Sequence, residues 1–251
     1  MEESHVELVQ KIRERLEIIR SKLTLAAEKS GRSASDVLIM AVSKRQPISV
    51  IEAGYACGLR SFGENYAEEA VEKIHQLDHL NDVRWEMIGH VQSRKSALVA
   101  ANFSRVHSLD TLKLARRFDS ARSSLGKPQP LEVLLELNVS GEASKEGLPA
   151  WKNDQWEDLL PFIGEIQSFG GLQLTGLMTM PPLFENPEHS RPFFQRLRQA
   201  LDYLNHQIPG LGLTELSMGT SADYCVAVEE GATIIRIGQA LLGPRIFRTG
   251  N

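Results

Sequence analysis

The chain has 251 residues, of which 42% are hydrophobic and 24% are charged, and its formal net charge is −4. This composition is typical of a soluble globular protein and argues against a disordered or fibrous chain. The weak negative charge provides no long-range attraction for nucleic acid or an anionic membrane. Because α/β barrels of this length are commonly one domain, we expect a single domain over residues 1–251.

The cysteine content and the N-terminal sequence indicate the cellular compartment of the protein. The sequence holds two cysteines, Cys57 and Cys225, which predicts free thiols rather than a disulfide framework or a cysteine zinc site. The N-terminus lacks a basic segment followed by an apolar core, and no apolar run is long enough to span a bilayer. We therefore expect a cytoplasmic protein with no membrane and no nucleic-acid partner.

The first predicted element is an amphipathic helix over residues 6–30. Apolar side chains recur along it at helical spacing, at Val9, Ile12, Leu16, Ile19, Leu23 and Ala26. Gly31 follows as a stop signal. The pattern predicts a helix that packs on the core ahead of the first strand.

An unbroken apolar run from Val37 to Ser43 follows, with Lys44 at its carboxyl end. A short run rich in Val, Ile and Leu predicts a strand buried on both faces, as in a parallel sheet. A lysine at such a place is ordinarily a solvated loop charge. It could also hold a phosphorylated aldehyde as a Schiff base, and the run alone leaves both interpretations open.

Beyond Lys44, short apolar runs alternate with amphipathic segments. The further predicted strands are Leu59–Phe62, Val83–Ile88, Arg105–Leu109, Leu131–Val139, Leu172–Met178, Leu213–Met218 and Thr233–Ile237. The predicted helices are Val50–Cys57, Ala67–Gln76, Ser93–Ala101, Thr111–Ser123, Trp156–Ser168, Pro192–Asn205 and Ala222–Glu230. Eight strands, each but the last followed by a helix, predict a single (β/α)8 TIM barrel with an extra N-terminal helix.

The strongest local signal for a ligand lies after the last two predicted strands. The segment Ser217–Asp223 enters a helix with Ser221 as the predicted N-cap, and Gly238 follows the eighth strand. Helix N-termini offer unpaired N–H groups to a phosphate, and barrels often hold a phosphate at these two loops. A capped helix and an ordinary turn would leave the same pattern.

Three further side chains are candidates for ligand contacts. Arg236 is flanked by apolar residues, which predicts a buried guanidinium that needs an acceptor, either a core carboxylate or a ligand atom such as a pyridine nitrogen. Asn65 and His90 follow the second and third strands, where they could contact a ligand or act as turn residues. His75 and His79 have a metal-like spacing but no third ligand, so we expect no metal there.

Seven motifs in this order resemble the pyridoxal 5′-phosphate homeostasis proteins of the YggS/PROSC type, which look like the isolated N-terminal barrel of alanine racemase. They are Ala41–Lys44, Phe62–Tyr66, Ile88–Lys95, Asn138–Glu142, Gly176–Met180, Leu216–Gly219 and Arg236–Gly238. The resemblance extends over roughly residues 38–245. It implies that the chain binds pyridoxal 5′-phosphate.

The resemblance also implies roles for particular residues. Lys44 would hold the cofactor as a Schiff base and Arg236 would face the pyridine nitrogen. The phosphate would be bound at Ser221, the backbone of Gly238 and Gln239, and Ser217. Asn65 and His90 match motif positions near the cofactor. Lys145 matches a lysine of the loop after the fifth strand. Gln239 stands where a small hydroxyl residue is expected, so only backbone donation is predicted there.

Two classes of function remain at this point. An arginine facing the ring nitrogen keeps it unprotonated, and the second base that racemisation needs is placed by the resemblance in a domain that racemases have beyond this barrel. We therefore expect a carrier or buffer of the cofactor, with amino acids and apo-enzymes as possible partners, as a monomer or weak dimer and without catalytic residues. A weak amino-acid racemase and a Schiff-base aldolase are the enzyme alternatives.

Overall fold

The computed structural model describes residues 4–245. The chain begins with helix α1, His5–Lys29, which carries buried side chains on the predicted stripe. Its first turn is closed by a capping box, in which the Ser4 side chain accepts from the Glu7 N–H and the Glu7 carboxylate accepts from the Ser4 N–H. These bonds satisfy two backbone donors that a helix start leaves unpaired. The predicted N-terminal helix is confirmed.

Parallel strands alternate with helices over the rest of the described chain. The strands are β1 Leu38–Val42, β2 Ser61–Glu64, β3 Arg84–Met87, β4 Arg105–Leu109, β5 Leu131–Asn138, β6 Leu148–Pro149, β7 Leu172–Met178, β8 Glu215–Thr220 and β9 Ile234–Ile237. The helices after α1 are α2 Ile48–Ala56, α3 Ala67–Gln76, α4 Ser96–Asn102, α5 Leu112–Ser124, α6 Leu159–Gln167, α7 Arg191–Gln207, α8 Tyr224–Glu229 and α9 Gln239–Leu242.

Eight of these strands close into a barrel. Each pairs in parallel with the next, from β1 through β5 and then β7, β8 and β9, and β9 pairs with β1 to complete the ring. The two-residue β6 pairs with the end of β5 outside the ring. All eight predicted strands are present, so the TIM barrel is confirmed. The prediction that no helix follows the last strand was wrong, because α9 begins directly after β9.

Helix α1 lies across the outside of the barrel and packs on α2, α8 and α9. Its buried side chains Ile12, Leu16, Ile19 and Leu23 join the same apolar core as the barrel helices. Burying such a side chain stabilises a fold by roughly 1.5–3 kcal/mol, so α1 is an integral part of the domain. Within residues 4–245, no helix combines the length and apolar character needed to cross a bilayer.

Candidate functional site

The predicted site residues gather at one end of the barrel. Lys44 follows β1, Asn65 follows β2, His90 lies three residues beyond β3, and Gly238 follows β9. The carboxyl ends of parallel barrel strands form a single face, and that face is where barrel proteins bind their ligands. We refer to this face as the barrel mouth.

Lys44 lies in a tight turn directly after β1. The turn is closed by a hydrogen bond of 2.9 Å from the Gln46 N–H to the Ser43 carbonyl. Arg45 has a φ of 58°, in the left-handed region that non-glycine residues seldom adopt. Its N–H donates to a carboxylate oxygen of Glu69 at 2.7 Å. A conformation of this kind persists only where the surroundings hold it in place, so the backbone around Lys44 is fixed.

The environment of Lys44 favours the neutral amine. Partial burial lowers the pKa of its ammonium group, and the positive charges of Arg245 and Arg45 lower it further, while Glu64 acts in the opposite direction. Only the neutral amine can attack an aldehyde, so a lowered pKa raises the reactive fraction at neutral pH. The side chain therefore has the character that a Schiff-base lysine requires.

A buried ion pair supports the Lys44 turn from below. The Lys73 ammonium donates to the Ser43 carbonyl at 2.9 Å and to Glu64 Oε1 at 2.8 Å, and it lies 2.6 Å from Glu69 Oε1. The Ser43 hydroxyl donates to the same Glu64 oxygen at 2.7 Å. Glu64 is fully buried, and burial raises the pKa of its carboxyl group although Lys73 lowers it. We refer to Ser43, Glu64, Glu69 and Lys73 as the Lys73 network.

Arg236 is buried in the barrel lumen just below the mouth. Its guanidinium donates to the Ser217 carbonyl at 2.7 Å, the Ser217 hydroxyl at 2.6 Å, the Thr179 carbonyl at 2.8 Å and the Met180 sulfur at 2.9 Å. None of these partners is a carboxylate. Burial lowers the pKa of Arg236 to about 10, against the opposing charges of Glu136 and Asp223, so the side chain stays charged at neutral pH. The structure thus fixes a cation beneath the site.

A chain of hydrogen bonds continues from Arg236 toward the bottom of the barrel. The Ser217 hydroxyl lies 2.9 Å from His107 Nδ1, and His107 Nε2 lies 2.9 Å from a carboxylate oxygen of Glu86. Glu86 also accepts from the Ser61 hydroxyl at 2.5 Å and from Arg105 at 3.3 Å. We refer to Arg236, Ser217, His107 and Glu86 as the lumen chain.

The charge states give the lumen chain a direction. Burial would raise the pKa of Glu86, but the bond from His107 and the charge of Arg105 lower it to about 2, while burial lowers the pKa of His107. A neutral imidazole that donates from Nε2 to an ionised Glu86 must accept at Nδ1. Ser217 therefore donates to His107 and accepts from Arg236. Every member is satisfied, and the guanidinium cannot rotate without breaking the chain.

The turn after β8 differs from its prediction. We expected Ser221 to cap a helix, but α8 begins at Tyr224 and Asp223 occupies the N-cap position. The Asp223 carboxylate folds back to accept from the N–H and the hydroxyl of Thr220 at 2.7 and 3.1 Å. This closes a four-residue turn with Ser221 and Ala222 at its centre, so the helix starts only after it. The N–H groups of these two central residues are the donors that the turn presents.

Two glycines shape the neighbouring loops. Gly219 has a φ of 90°, and a Cβ there would lie 2.5 Å from the Ala227 side chain, so α8 can approach β8 this closely only beside glycine. A Cβ on Gly89 would lie 2.4 Å from the Asn65 carbonyl oxygen. This close approach brings the loops after β2 and β3 together at the mouth.

The loop after β9 offers a second set of backbone donors. Gly238 is the N-cap of α9, and its carbonyl accepts from the Leu241 and Leu242 N–H groups at 2.9 Å. The N–H groups of Gln239 and Ala240 belong to the first turn of α9, where a helix provides no internal acceptor. Because Arg236 pairs in register with Thr220, this loop lies next to the turn after β8. The backbone N–H groups of the turn after β8 therefore lie next to those at the start of α9.

The remaining predicted residues lie at the rim. The Asn65 side-chain oxygen is buried with no hydrogen-bond partner among the described residues. His90 is half exposed, with its Nδ1 3.7 Å from Asp110 Oδ2. Lys145 lies in the loop after β5, and its ammonium donates to the carbonyl of Pro181, in the loop after β7, at 3.3 Å.

Sequence reasoning missed the carboxylates and the histidine that the barrel holds inside. Glu136 is 8% exposed, and burial together with the charges of Asp110 and Glu146 raises its pKa to about 7. His107 and Arg105 are completely or nearly completely buried in β4. Their spacing of two residues within a predicted strand places both on one face, and this was the signal available for a polar lumen.

Comparison with known proteins places the chain among sequences related to racemases. The family model for the N-terminal domain of alanine racemase matches residues 15–245. The pyridoxal phosphate homeostasis protein of Pseudomonas aeruginosa is 41% identical over 236 residues, covering 94% of this chain and 96% of that protein. The match therefore extends over essentially the whole length of both chains.

Solved structures show the same relationship. PipY of Synechococcus elongatus has 34% identity to this chain, covers 92% of it, and is itself covered completely, with a TM-score of 0.81 without pyridoxal phosphate and 0.79 with it bound. Alanine racemase of Clostridium difficile aligns with a TM-score of 0.68 at 13% identity, with 92% of this chain covering 56% of the racemase. The second likeness is one of fold alone.

Proposed function

The chain belongs to the family of pyridoxal phosphate homeostasis proteins, and from this membership we propose that it binds pyridoxal 5′-phosphate at its barrel mouth. We propose that it carries or buffers this cofactor in vitamin B6 and amino-acid homeostasis. The observation that supports the proposal most directly is the pairing of a lysine whose pKa is lowered with a fixed, buried arginine at one end of the barrel. Bound pyridoxal phosphate supplies an aldehyde that reacts with an amine.

The residues present fit this group. Lys44 offers the amine for the aldehyde. Arg236 is a buried cation with no carboxylate among its hydrogen-bond partners, so it can donate to a pyridine nitrogen. Ser217 contributes by holding Arg236, since its hydroxyl is already used within the lumen chain.

We propose that the phosphate is bound between the turn after β8 and the start of α9. Ser221 contributes from the first loop, and Gly238 and Gln239 contribute from the second, through backbone N–H groups. Asn65 and His90 complete the proposed site at the rim, where the unpaired side-chain oxygen of Asn65 offers an acceptor. Phosphate bound by such N–H groups is held by charge-assisted hydrogen bonds.

If the phosphate anchors the ligand, pyridoxal 5′-phosphate should bind far more tightly than pyridoxal. Two charge-assisted hydrogen bonds of about 1.5–3 kcal/mol each correspond to about 10²- to 10⁴-fold in affinity. The measurement is a titration of the cofactor-free protein with each compound, followed by the absorbance of the bound aldehyde. Equal affinities for the two compounds would contradict the proposed anchor.

A matched pair of variants sharpens this experiment. Gln239→Pro removes one N–H at the first position of α9, where proline is compatible with a helix, and Gln239→Ala keeps that N–H. We expect Gln239→Pro to weaken binding of pyridoxal 5′-phosphate but not of pyridoxal, and Gln239→Ala to change neither. If both variants behave alike, the backbone at Gln239 is not a phosphate ligand.

Arg236 also supports a carrier over an enzyme. Arginine donates a hydrogen bond but keeps its proton, and here its charge is maintained at neutral pH. A ring nitrogen beside it stays unprotonated, which weakens the ring as an acceptor of electrons from a substrate. A weak amino-acid racemase remains the alternative, and it would act through Glu136, whose pKa of about 7 suits a general base.

Solvent deuterium exchange at Cα of L-alanine distinguishes these functions. For a carrier we expect the rate of exchange to be close to the rate with free pyridoxal phosphate at equal concentration. A positioned base would accelerate the exchange by about 10²- to 10⁴-fold. Proton NMR of alanine in D₂O follows the exchange for the parent and for Glu136→Gln. Rapid exchange that Glu136→Gln abolishes would support the racemase.

The proposal extends to partners and location. The aldehyde of the cofactor can pass from one amine to another, so we propose that free amino acids and the lysines of apo-enzymes are its acceptors. We propose no nucleic-acid or membrane partner. We place the protein in the cytoplasm, where its two free thiols, Cys57 and Cys225, stay reduced. We propose that it acts as a monomer or a weak dimer.

A further inference from the structure

A second cluster of polar side chains lies at the barrel mouth, on the side formed by β3, β4 and β5. It contains His90, Asp110 and Glu146, and each offers one ligand atom so that the three atoms all lie within 4.8 Å of one another. His90 Nδ1 and Asp110 Oδ2 are 3.7 Å apart. Glu146 lies in the loop after β5, whose polypeptide is held by Asn138 through hydrogen bonds to the Glu142 and Lys145 carbonyls at 2.9 and 3.3 Å.

A fourth side chain next to this cluster has no partner. Glu136 is 8% exposed, and among residues 4–245 its carboxylate makes no hydrogen bond or ion pair. It follows Leu135, which pairs across the sheet with Leu109, the residue before Asp110. On the other side, a Cβ on Gly147, the residue after Glu146, would lie 2.8 Å from the Glu136 carbonyl oxygen. The Asp110 Oδ1 atom is also buried without a hydrogen-bond partner. Buried carboxylates without a partner are unfavourable, and a bound cation would offset that cost.

The neighbouring side-chain cations are directed elsewhere. The Lys145 ammonium donates to the Pro181 carbonyl at 3.3 Å, although Lys145 is next to Glu146 in the chain. The Arg236 guanidinium is held by Ser217 and Thr179. In the described part of the chain, neither forms an ion pair with the cluster.

We propose that His90, Asp110 and Glu146 bind a divalent metal ion of the zinc or manganese class, with Glu136 next to it. An imidazole nitrogen with carboxylate oxygens is a ligand set for such ions, whereas magnesium and calcium prefer oxygen alone. Ligand atoms 3.7 Å apart, as in His90 and Asp110, can bind one ion at the about 2.0–2.2 Å typical of zinc. The exposed His90 and Glu146 leave the site open to solvent, so an ion can enter.

Isothermal titration of the full-length, cofactor-free protein with Zn²⁺ tests the site. We expect one saturable site in the parent and at least about tenfold weaker binding in Asp110→Asn and in Glu146→Gln, since loss of even an outer partner of a metal ligand weakens binding by 10- to 100-fold. Glu142→Gln is the matched control. It removes the same charge from the same exposed loop, outside the cluster, and should leave Zn²⁺ binding unchanged.

Three results would overturn the proposal. The first is no saturable Zn²⁺ binding by the parent protein. The second is equal weakening by Glu142→Gln and Glu146→Gln, which would indicate a general effect of charge. The third is binding that survives both cluster variants but is lost in His79→Ala, which would place the ion on the pair formed by His75 and His79. Because no pyridoxal phosphate is present, the outcome does not depend on the proposed function.

Discussion

Replacing Lys44 by alanine is expected to abolish covalent retention of pyridoxal 5′-phosphate. Lys44 stands in a fixed turn at the barrel mouth, and its lowered pKa leaves more of the reactive neutral amine than an exposed lysine has. Incubation with the cofactor, reduction with borohydride and mass spectrometry of the digested protein should find one labelled lysine in the parent. The same treatment of Lys44→Ala should leave the protein unlabelled.

Lys145→Ala is the matched control, because Lys145 is the other lysine that we place at the rim. Its ammonium binds the Pro181 carbonyl, so it is less available for reaction, and we expect Lys145→Ala to keep full labelling at Lys44. If Lys44→Ala becomes labelled at a different single lysine to the extent of the parent, the assignment of Lys44 is wrong. Circular dichroism of each variant checks that the barrel remains folded.

Replacing Lys73 by methionine is expected to destabilise the fold by about 3–5 kcal/mol, the loss typical of a broken buried ion pair. The substitution leaves Glu64 fully buried with an uncompensated charge, and it removes the donor to the Ser43 carbonyl. The loosened turn should also weaken retention of the cofactor at Lys44. Urea unfolding of the cofactor-free protein measures the change in stability.

Two comparisons isolate the buried charge. Lys95→Met breaks a surface pair with Glu68 and should reduce stability by at most about 1 kcal/mol. Adding Glu64→Gln to Lys73→Met removes the unpaired charge and should restore most of the lost free energy of unfolding. If the double variant is as unstable as Lys73→Met alone, the methionine itself disrupts packing and the charge is not the cause.

The same variant should show a distinctive dependence on pH. The pKa of Glu64 is already raised from its ordinary 4.5 in the folded protein, and loss of Lys73 should raise it further. Between the pKa of Glu64 in the unfolded chain and its higher pKa in the folded protein, the folded state binds more protons than the unfolded state. The free energy of unfolding therefore falls as the pH rises through this interval. The deficit of Lys73→Met relative to the parent should therefore shrink as the pH is lowered toward 4.5.

The barrel could be predicted because its signals are local and repeated. Eight apolar runs separated by amphipathic segments follow from burial of both faces of a parallel sheet, and each predicted run overlaps a strand. The place of Lys44 followed from the end of one such run. Its lowered pKa did not, because that depends first on burial in the folded barrel and then on the charge of Arg245, which is distant in the sequence.

The polar interior was harder to predict because its partners come from different strands. Glu86, His107 and Ser217 each look like a lone polar residue in a strand, and only ring closure joins them. Lys73 gave a weak signal, since it lies three residues after the buried Ala70 on the inner face of α3. The start of α8 was misplaced because Ser221 and Asp223 are both good caps, and the choice depended on the bond that the Asp223 carboxylate accepts from the Thr220 N–H.

The one-way order of the lumen chain limits how this barrel could be redesigned as a catalyst. To keep the ring nitrogen protonated, a designer would replace Arg236 by a carboxylate residue. An ionised carboxylate has no proton to donate to the Ser217 hydroxyl. The serine hydroxyl would turn to the new carboxylate, and His107 would then need protons on both nitrogens to satisfy Ser217 and Glu86. One substitution at the mouth therefore requires an added proton two side chains away, inside a barrel whose burial disfavours a charged imidazole. A successful redesign must change the arginine and the histidine together.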